Sequence, residues 1–241
     1  RRKLTRRGVY QDFKDLPIPQ LKVDAAGTLN ATGGGAATGD AGDENRLQLG
    51  DTYFEYHILG TQTILYPQQA ATGLDIGMDQ TNNDGVELTN GIVAGTRCAF
   101  TVGREAFRFL VKFSIADVSG SDDLMVCFRK AEDYQAAVDD YDELAGLNVI
   151  SGDIKIETIL NNGATSTTDT TQNWADGETH TLAIYVALSR AVTFQIDGAA
   201  PTVTAAFTLD DGEVVVPALF FLHDTDVAGA VVLKEWDAQL Q

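Results

Sequence analysis

The sequence predicts an all-β protein built as an antiparallel β-sandwich, on three observations. Apolar side chains alternate with a period of two in several runs, glycine-bearing turn pairs separate those runs, and helical spacing is confined to one stretch. From Phe107 the alternation is unbroken: Phe107, Phe109, Val111, Phe113 and Ile115 share one face, while Arg108, Lys112 and Ser114 take the other. Similar runs cover residues 124–128, 154–160, 182–188, 192–196, 214–222 and 231–233, with Asp176-Gly177, Asp197-Gly198 and Asp211-Gly212 as turns. Many short strands joined by such turns point to a sandwich or jelly roll.

Upstream, residues 53–59 and 63–66 are expected to be strands, and Asn82-Asn83-Asp84-Gly85 a tight turn into Val86-Glu87-Leu88. One short surface helix is expected over residues 132–145, because Tyr134, Ala137, Val138, Tyr141, Leu144 and Ala145 recur at helical spacing above an acidic face. Residues 165–177 read as a polar loop. Trp174 within it is either an exposed indole able to stack on a sugar or a ring tucked against the sandwich edge. Cys98 and Cys127 have no metal-type spacing and read as buried thiols, a single bridge between them being the alternative.

The N-terminal region differs from the rest. In residues 1–22 seven cations stand against two anions, whereas the whole chain carries 17 Lys plus Arg against 35 Asp plus Glu, a net charge of −18. Leu16-Pro17-Ile18-Pro19 enforces an extended path. The glycine- and alanine-rich tract that follows cannot build a core and reads as a joint. The organisation expected is a basic extended arm over residues 1–30, a joint over 31–43 and the sandwich over 44–241.

Composition and motifs exclude several functions. No apolar run approaches the roughly 20 residues that cross a bilayer as a helix, and the acidic body makes nucleic acid an unfavoured partner. Gly34 and Gly39 have P-loop spacing, but Asp40 stands where the phosphate-binding Lys belongs. No G-x-S-x-G occurs, and His57, His180 and His223 form no zinc motif. Glu235-Trp236-Asp237 lacks the third acid of a glucanase strand, Leu240 taking its place, and Lys155 between Asp153 and Glu157 marks an ordinary solvated face. Candidate calcium acids are Asp224 with Asp226, Asp122 with Asp123, and Asp139, Asp140, Asp142 and Glu143. Asp79 to Glu87 matches an EF-hand loop only superficially. None completes a ligand set, so no metal, cofactor or catalytic residue is assigned.

Three C-terminal segments carry a resemblance: Asp176-Gly177-Glu178-Thr179-His180-Thr181-Leu182, Phe194-Gln195-Ile196-Asp197-Gly198 and Val215-Val216-Pro217-Ala218-Leu219. Together they resemble the concanavalin A-like, laminin-G-type jelly roll over about residues 50–240. The segments from Phe128 to Tyr141 and from Phe221 to Gly229 are similar to structural proteins of tailed bacteriophages that carry this domain. That resemblance implies a non-enzymatic virion protein assembled in a bacterial host's cytoplasm, as a capsid decoration, cement, head-fibre or tail component. Its implied partners are the major capsid protein or other virion subunits, and a homo-oligomer with a trimer slightly preferred. Arg1, Arg2, Lys3, Arg6 and Arg7 would contact acidic neighbours, while Leu16, Pro17, Ile18, Pro19 and Leu21 would lie along a groove or add a strand to a sheet edge. The alternative is a lectin-like module or receptor-binding component that binds a surface glycan. A genome-binding arm and an enzyme are lesser readings.

Overall fold

The computed structural model describes residues 8–12, 20–21, 45–49, 52–59, 68–76, 85–90, 98–223 and 230–241. Numbered in chain order, its strands form two antiparallel sheets. The eight-stranded sheet runs β16 (Phe207–Thr208), β15 (Ala191–Ile196), β14 (Thr179–Val186), β9 (Phe107–Ile115), β18 (Val231–Leu240), β6 (Gly73–Asp75) and β5 (Gln68–Ala70), with β1 (Gly8–Asp12) also on β18. The ten-stranded sheet runs β13 (Ser166–Asn173), β12 (Asp153–Ile159), β11 (Leu144–Ile150), β10 (Ser121–Lys130), β17 (Val214–His223), β7 (Gly85–Thr89), β4 (Thr52–Leu59), β3 (Asn45–Leu49) and β2 (Gln20–Leu21), with β8 (Phe100–Thr101) on β17.

Alternation in β9 is realised in full: Phe107, Phe109, Val111, Phe113 and Ile115 are buried, and the residues between them are half-buried. They meet Leu124, Val126 and Phe128 of β10 and Leu147 and Val149 of β11 across the sandwich. Aromatic rings fill the centre: Phe109 lies 4.5 Å from Trp236, and Phe54 meets that indole edge-on at 5.1 Å. A register shift between Leu233 and Glu235 changes the phase of β18, so that Trp236 and Ala238 return to the core while Asp237 and Gln239 leave it. For this reason β18 extends well beyond the apolar run 231–233. Gly146 permits close contact of β11 with β10, since a Cβ there would lie 2.7 Å from that of Cys127.

Two expectations are corrected. Residues 132–145 hold a short 3-10 turn at Val138–Asp140 and then begin β11, instead of one surface helix. The helical spacing reported burial without reporting backbone: Tyr134, Val138 and Tyr141 turn inward because the segment lies over the outward face of the ten-stranded sheet. The expected polar loop contains β13, an edge strand of Ser, Thr, Asp, Gln and Asn. Opposite the Ile154/Lys155 register shift, Thr171 takes φ +62° and its N–H donates to Asp169 Oδ1 at 2.8 Å. That bulge and the polar composition disfavour edge-to-edge aggregation. Cys98 and Cys127 are buried thiols with no bridge between them.

β1 and β2 join different sheets. β1 pairs with β18 from Gly8↔Gln239 to Asp12↔Glu235, and β2 pairs with β3 at Gln20↔Gln48 and Leu21↔Leu47. The expected strand 63–66, the turn residues 82–84, the joint 31–43, the P-loop-spaced glycines and Asp79, Asp224 and Asp226 lie outside the described residues.

Candidate functional site

Side chains that alternate away from the core on the ten-stranded sheet form a second layer. Its apolar part is Leu59, Met125, Cys127, Leu144, Ile159, Ala218, Phe220 and Leu222, with Val138 and Tyr141 from the segment above. Into this layer β10 and β7 place a charge pair. Arg129 Nε donates to Glu87 Oε1 at 2.6 Å, and both side chains are fully buried. Tyr141 O–H donates to Glu87 Oε2. Arg129 Nη1 donates to the carbonyls of Lys130 and Glu132, while Nη2 is buried without a hydrogen-bond partner. The guanidinium lies 4.6 Å from the centre of the Tyr141 ring and 5.4 Å from that of Tyr134.

Burial opposes the charge on Arg129, yet the Glu87 carboxylate outweighs it and the guanidinium stays protonated. Burial followed by the Glu87 charge pushes Tyr141 well above its ordinary value and the Cys127 thiol up as well. Cys127 is therefore unreactive, and the Arg129 cluster is a sealed structural group. His57 stacks on Tyr134 at 4.6 Å beside it.

Farther along the same face, side chains from four adjacent strands form a polar row. Asn148 of β11 donates through Nδ2 to Asp123 Oδ1 of β10 at 2.5 Å and to Glu157 Oε2 of β12 at 2.9 Å. Thr167 of β13 donates to Glu157 Oε1 at 3.2 Å, and Asn148 Oδ1 accepts the Leu124 N–H at 3.0 Å. Asn148 is sealed, but the row opens at the sheet margin: Thr167 and Asp169 are exposed and Lys155 is half-buried. Glu157 corrects the expectation of a solvated face, since it is only 6% exposed and fully engaged. At the open margin the Thr167 hydroxyl, the Asp169 carboxylate and the Lys155 ammonium can hydrogen-bond the hydroxyls of a polar ligand.

One end of the sandwich is closed by the two motifs of the resemblance. His180 Nδ1 lies 2.6 Å from Asp197 Oδ2 and Nε2 lies 3.0 Å from Glu178 Oε2. Asp197 and Gly198, both at positive φ, make the turn that brings the carboxylate there. Burial pulls the His180 pKa down, but the hydrogen bonds and charges of Asp197 and Glu178 outweigh it and the net shift is upward. Trp174 is the tucked ring of the two alternatives: it is 2% exposed, packs 4.5 Å from Phe113 and donates its indole N–H to the Glu178 carbonyl at 3.3 Å. It offers no free stacking surface.

Of the arm residues singled out in the sequence, Arg1, Arg2, Lys3, Arg6, Arg7, Leu16, Pro17, Ile18 and Pro19 lie outside the described residues, and Leu21 lies in β2. Of the acids considered for calcium, those described turn to different partners. Asp139 accepts from Thr165 at 2.8 Å, Asp142 pairs with Lys130 at 3.3 Å and Glu143 accepts the Asp210 N–H at 2.7 Å. Among the described residues no three His, Cys, Asp or Glu side chains group to hold a metal. Glu87, Arg129 and Asn148 were missed because they stand on strands separated in sequence, and only sheet order makes them neighbours.

No family model matches the chain, and no curated protein matches it in sequence. Solved structures do match in fold. The carbohydrate recognition domain of Emp47p superposes with a TM-score of 0.53 at 14% identity, covering 80% of this chain and 90% of that one. Lectin UEA-II complexed with galactose gives 0.52 at 11% identity, covering 78% and 92%. Lectin II from Ulex europaeus gives 0.50 at 12% identity, with the same coverage of 78% and 92%. The protein thus has the concanavalin A-like jelly-roll fold of lectin carbohydrate-recognition domains. A structure described with endo-acting O-glycanases of the human gut microbiota also matches, at a TM-score of 0.50 and 13% identity over 75% of this chain. The fold alone therefore does not separate binding from catalysis.

Proposed function

We propose that this chain is a non-catalytic carbohydrate-binding domain of lectin type. The observation that carries the reading is a fold shared with carbohydrate-recognition domains over about nine-tenths of their length. The open margin of the polar row supports it: Lys155, Thr167 and Asp169 present donors and acceptors on the outward face of the sheet at its β13 edge. The test is retention on immobilised polysaccharides and a glycan array, with calcium and with a chelator. Replacing Thr167 and Asp169 together by Ala should abolish retention while the sandwich still unfolds cooperatively, with melting lowered only by the loss of their two hydrogen bonds to Glu157 and the Thr171 N–H. Absence of retention on every glycan, or equal retention by the double variant, overturns the assignment.

A second reading is favoured by one observation, the pairing of β1 with the edge of β18, which displays arm backbone as an added strand. In it the domain is a virion structural protein of a tailed bacteriophage, a capsid decoration or cement protein attached to the major capsid protein through its arm. Exposed ion pairs are worth about 0–1 kcal/mol each, so attachment would rest on many copies acting together, as in a trimer. Replacing Arg1, Arg2, Lys3, Arg6 and Arg7 by Gln should weaken binding to capsids while leaving sandwich melting unchanged. Equal loss of both sinks this reading.

A further inference from the structure

β10 and β11 are paired neighbours, with Arg129 opposite Leu144, yet the chain uses all of residues 131–143 to pass from one to the other. A hairpin needs only about two to five residues for that connection. The ends of the excursion stay together, since the Lys130 N–H donates to the Glu143 carbonyl at 2.8 Å. Residues 131–143 are therefore an Ω-loop, folded back over the outward face of the ten-stranded sheet. Its ends are fastened to the sandwich: the Ala131 N–H bonds the Val214 carbonyl at 2.8 Å, the Asn162 N–H bonds the Asp142 carbonyl at 2.7 Å, and Glu143 accepts the Asp210 N–H. Its middle differs. Among the described residues, the backbone bonds of 133–141 stay within the loop, from the Asp140 N–H to the Ala137 carbonyl and from the Tyr141 N–H to the Val138 carbonyl.

Side chains make the described contacts between that middle and the sheet. Val138 and Tyr141 pack in the layer of Met125, Cys127 and Phe220, Tyr134 stacks on His57, the Tyr141 O–H donates to Glu87, and the Thr165 hydroxyl donates to Asp139 at 2.8 Å. The charge beneath works against closure. Arg129 and Glu87 are both fully buried, and Arg129 Nη2 has no hydrogen-bond partner. Removing two charges from water costs free energy that their mutual attraction returns only in part, and an unsatisfied buried donor adds to that cost. Lifting the loop rehydrates all of these groups and leaves the β7, β17, β10 and β11 ladders paired. The ion pair thus offsets part of what the apolar contacts gain.

We propose that residues 133–141 are a lid that opens as a unit on the intact sandwich, latched by Tyr141 on Glu87, and that opening uncovers the Cys127 thiol and the Arg129–Glu87 pair. The inference does not depend on glycan recognition. Cys127 is unreactive while the lid is closed and becomes the natural reporter of its opening. Cys127 pairs with Gly146, and Gly146 with Glu157, so the uncovered strip adjoins the polar row along one line of the sheet.

The experiment follows alkylation of Cys127 by N-ethylmaleimide in the full chain over a urea series, resolved from Cys98 by peptide mass, beside global unfolding of the same chain. The expected Cys127 rate exceeds what the globally unfolded fraction allows by a factor on the order of ten or more, with a shallower urea dependence, because a local opening exposes less surface. Amide exchange at Asp140 and Tyr141 should share that shallow dependence, while exchange at Val126 and Leu147, whose strands stay paired, follows the global transition. Tyr141→Phe removes the latch hydroxyl and should raise the Cys127 rate about tenfold, as expected for one lost hydrogen bond to a buried carboxylate. A Cys127 rate that tracks global unfolding with the same urea slope overturns the lid. A rate unchanged by Tyr141→Phe overturns the latch and the proposal with it.

Discussion

Two arginine–carboxylate pairs decorate the outward faces of the two sheets, and they differ in what surrounds them. Arg129 and Glu87 are both fully buried at 2.6 Å, within an apolar second layer on the ten-stranded sheet. Arg108 and Asp237 sit 2.7 Å apart on the eight-stranded sheet, with side-chain exposures of 34% and 9%. Similar chemistry therefore carries different energetic weight. In the first case each partner makes the other tolerable in a medium that cannot solvate charge; in the second, the guanidinium keeps contact with water while the carboxylate stays mostly buried.

That contrast is broken most sharply by Arg129→Met, which leaves Glu87 buried without its counter-charge. A loss of about 3–5 kcal/mol is expected in denaturant unfolding. Combining it with Glu87→Leu should recover most of the loss, because a matched apolar pair carries no such penalty. If the double variant is as unstable as the single one, packing and not charge dominates the cluster.

Next in size is Gly146→Ala on β11, where the added methyl meets Cys127 Cβ at 2.7 Å and the Val126 carbonyl at 2.8 Å. Overpacking of this kind costs about 1–3 kcal/mol, read as a lower melting temperature. Arg108→Ala should cost less than Arg129→Met, about 1–3 kcal/mol, because Asp237 is buried but keeps the Gln239 amide on Oδ2. A loss as large as that of Arg129→Met would show that Asp237 depends on its partner as Glu87 does.

The smallest effect is the pH response of the His180 clasp. The folded pKa of His180 is raised, so its contribution is complete below the ordinary imidazole value and is lost as pH rises through the raised one. Asp197 and Glu178 are shifted down. Burial works against the shift at Asp197, which follows from the His180 and Thr181 hydrogen bonds; at Glu178 the His180 hydrogen bond leads. Their contribution is present above the ordinary carboxylate range and fades as pH falls through the lowered values. The clasp holds best between those limits, and His180→Gln should flatten the alkaline decline of a melting profile taken from pH 5 to 9. A variant profile parallel to the wild type would remove His180 from that decline.

Legibility in the sequence followed the range of the interactions. β9 could be read residue by residue because its burial is set by alternation within nine residues. Residues 132–145 were readable for which side chains turn inward and misleading for backbone, because a segment lying on a sheet face can bury every third or fourth residue without a helix. β13 was obscured by its threonines, since an edge strand shields no core. His180 and Asp197 were visible as separate motifs, while their contact appears only when the β15 turn returns beside β14. The polar row was invisible for the same reason, one side chain coming from each of four strands.

Composition and short-range periodicity by themselves determined that this chain is an acidic all-β sandwich with a basic N-terminal stretch, because burial on alternate residues is written locally along each strand. Tertiary structure alone decided that the outward face of the ten-stranded sheet carries a sealed ion pair and a polar row, and that arm backbone adds to both sheets. Those features depend on sheet order and register, which set side chains from strands far apart in sequence within hydrogen-bonding reach, and no local pattern encodes which strands will be neighbours.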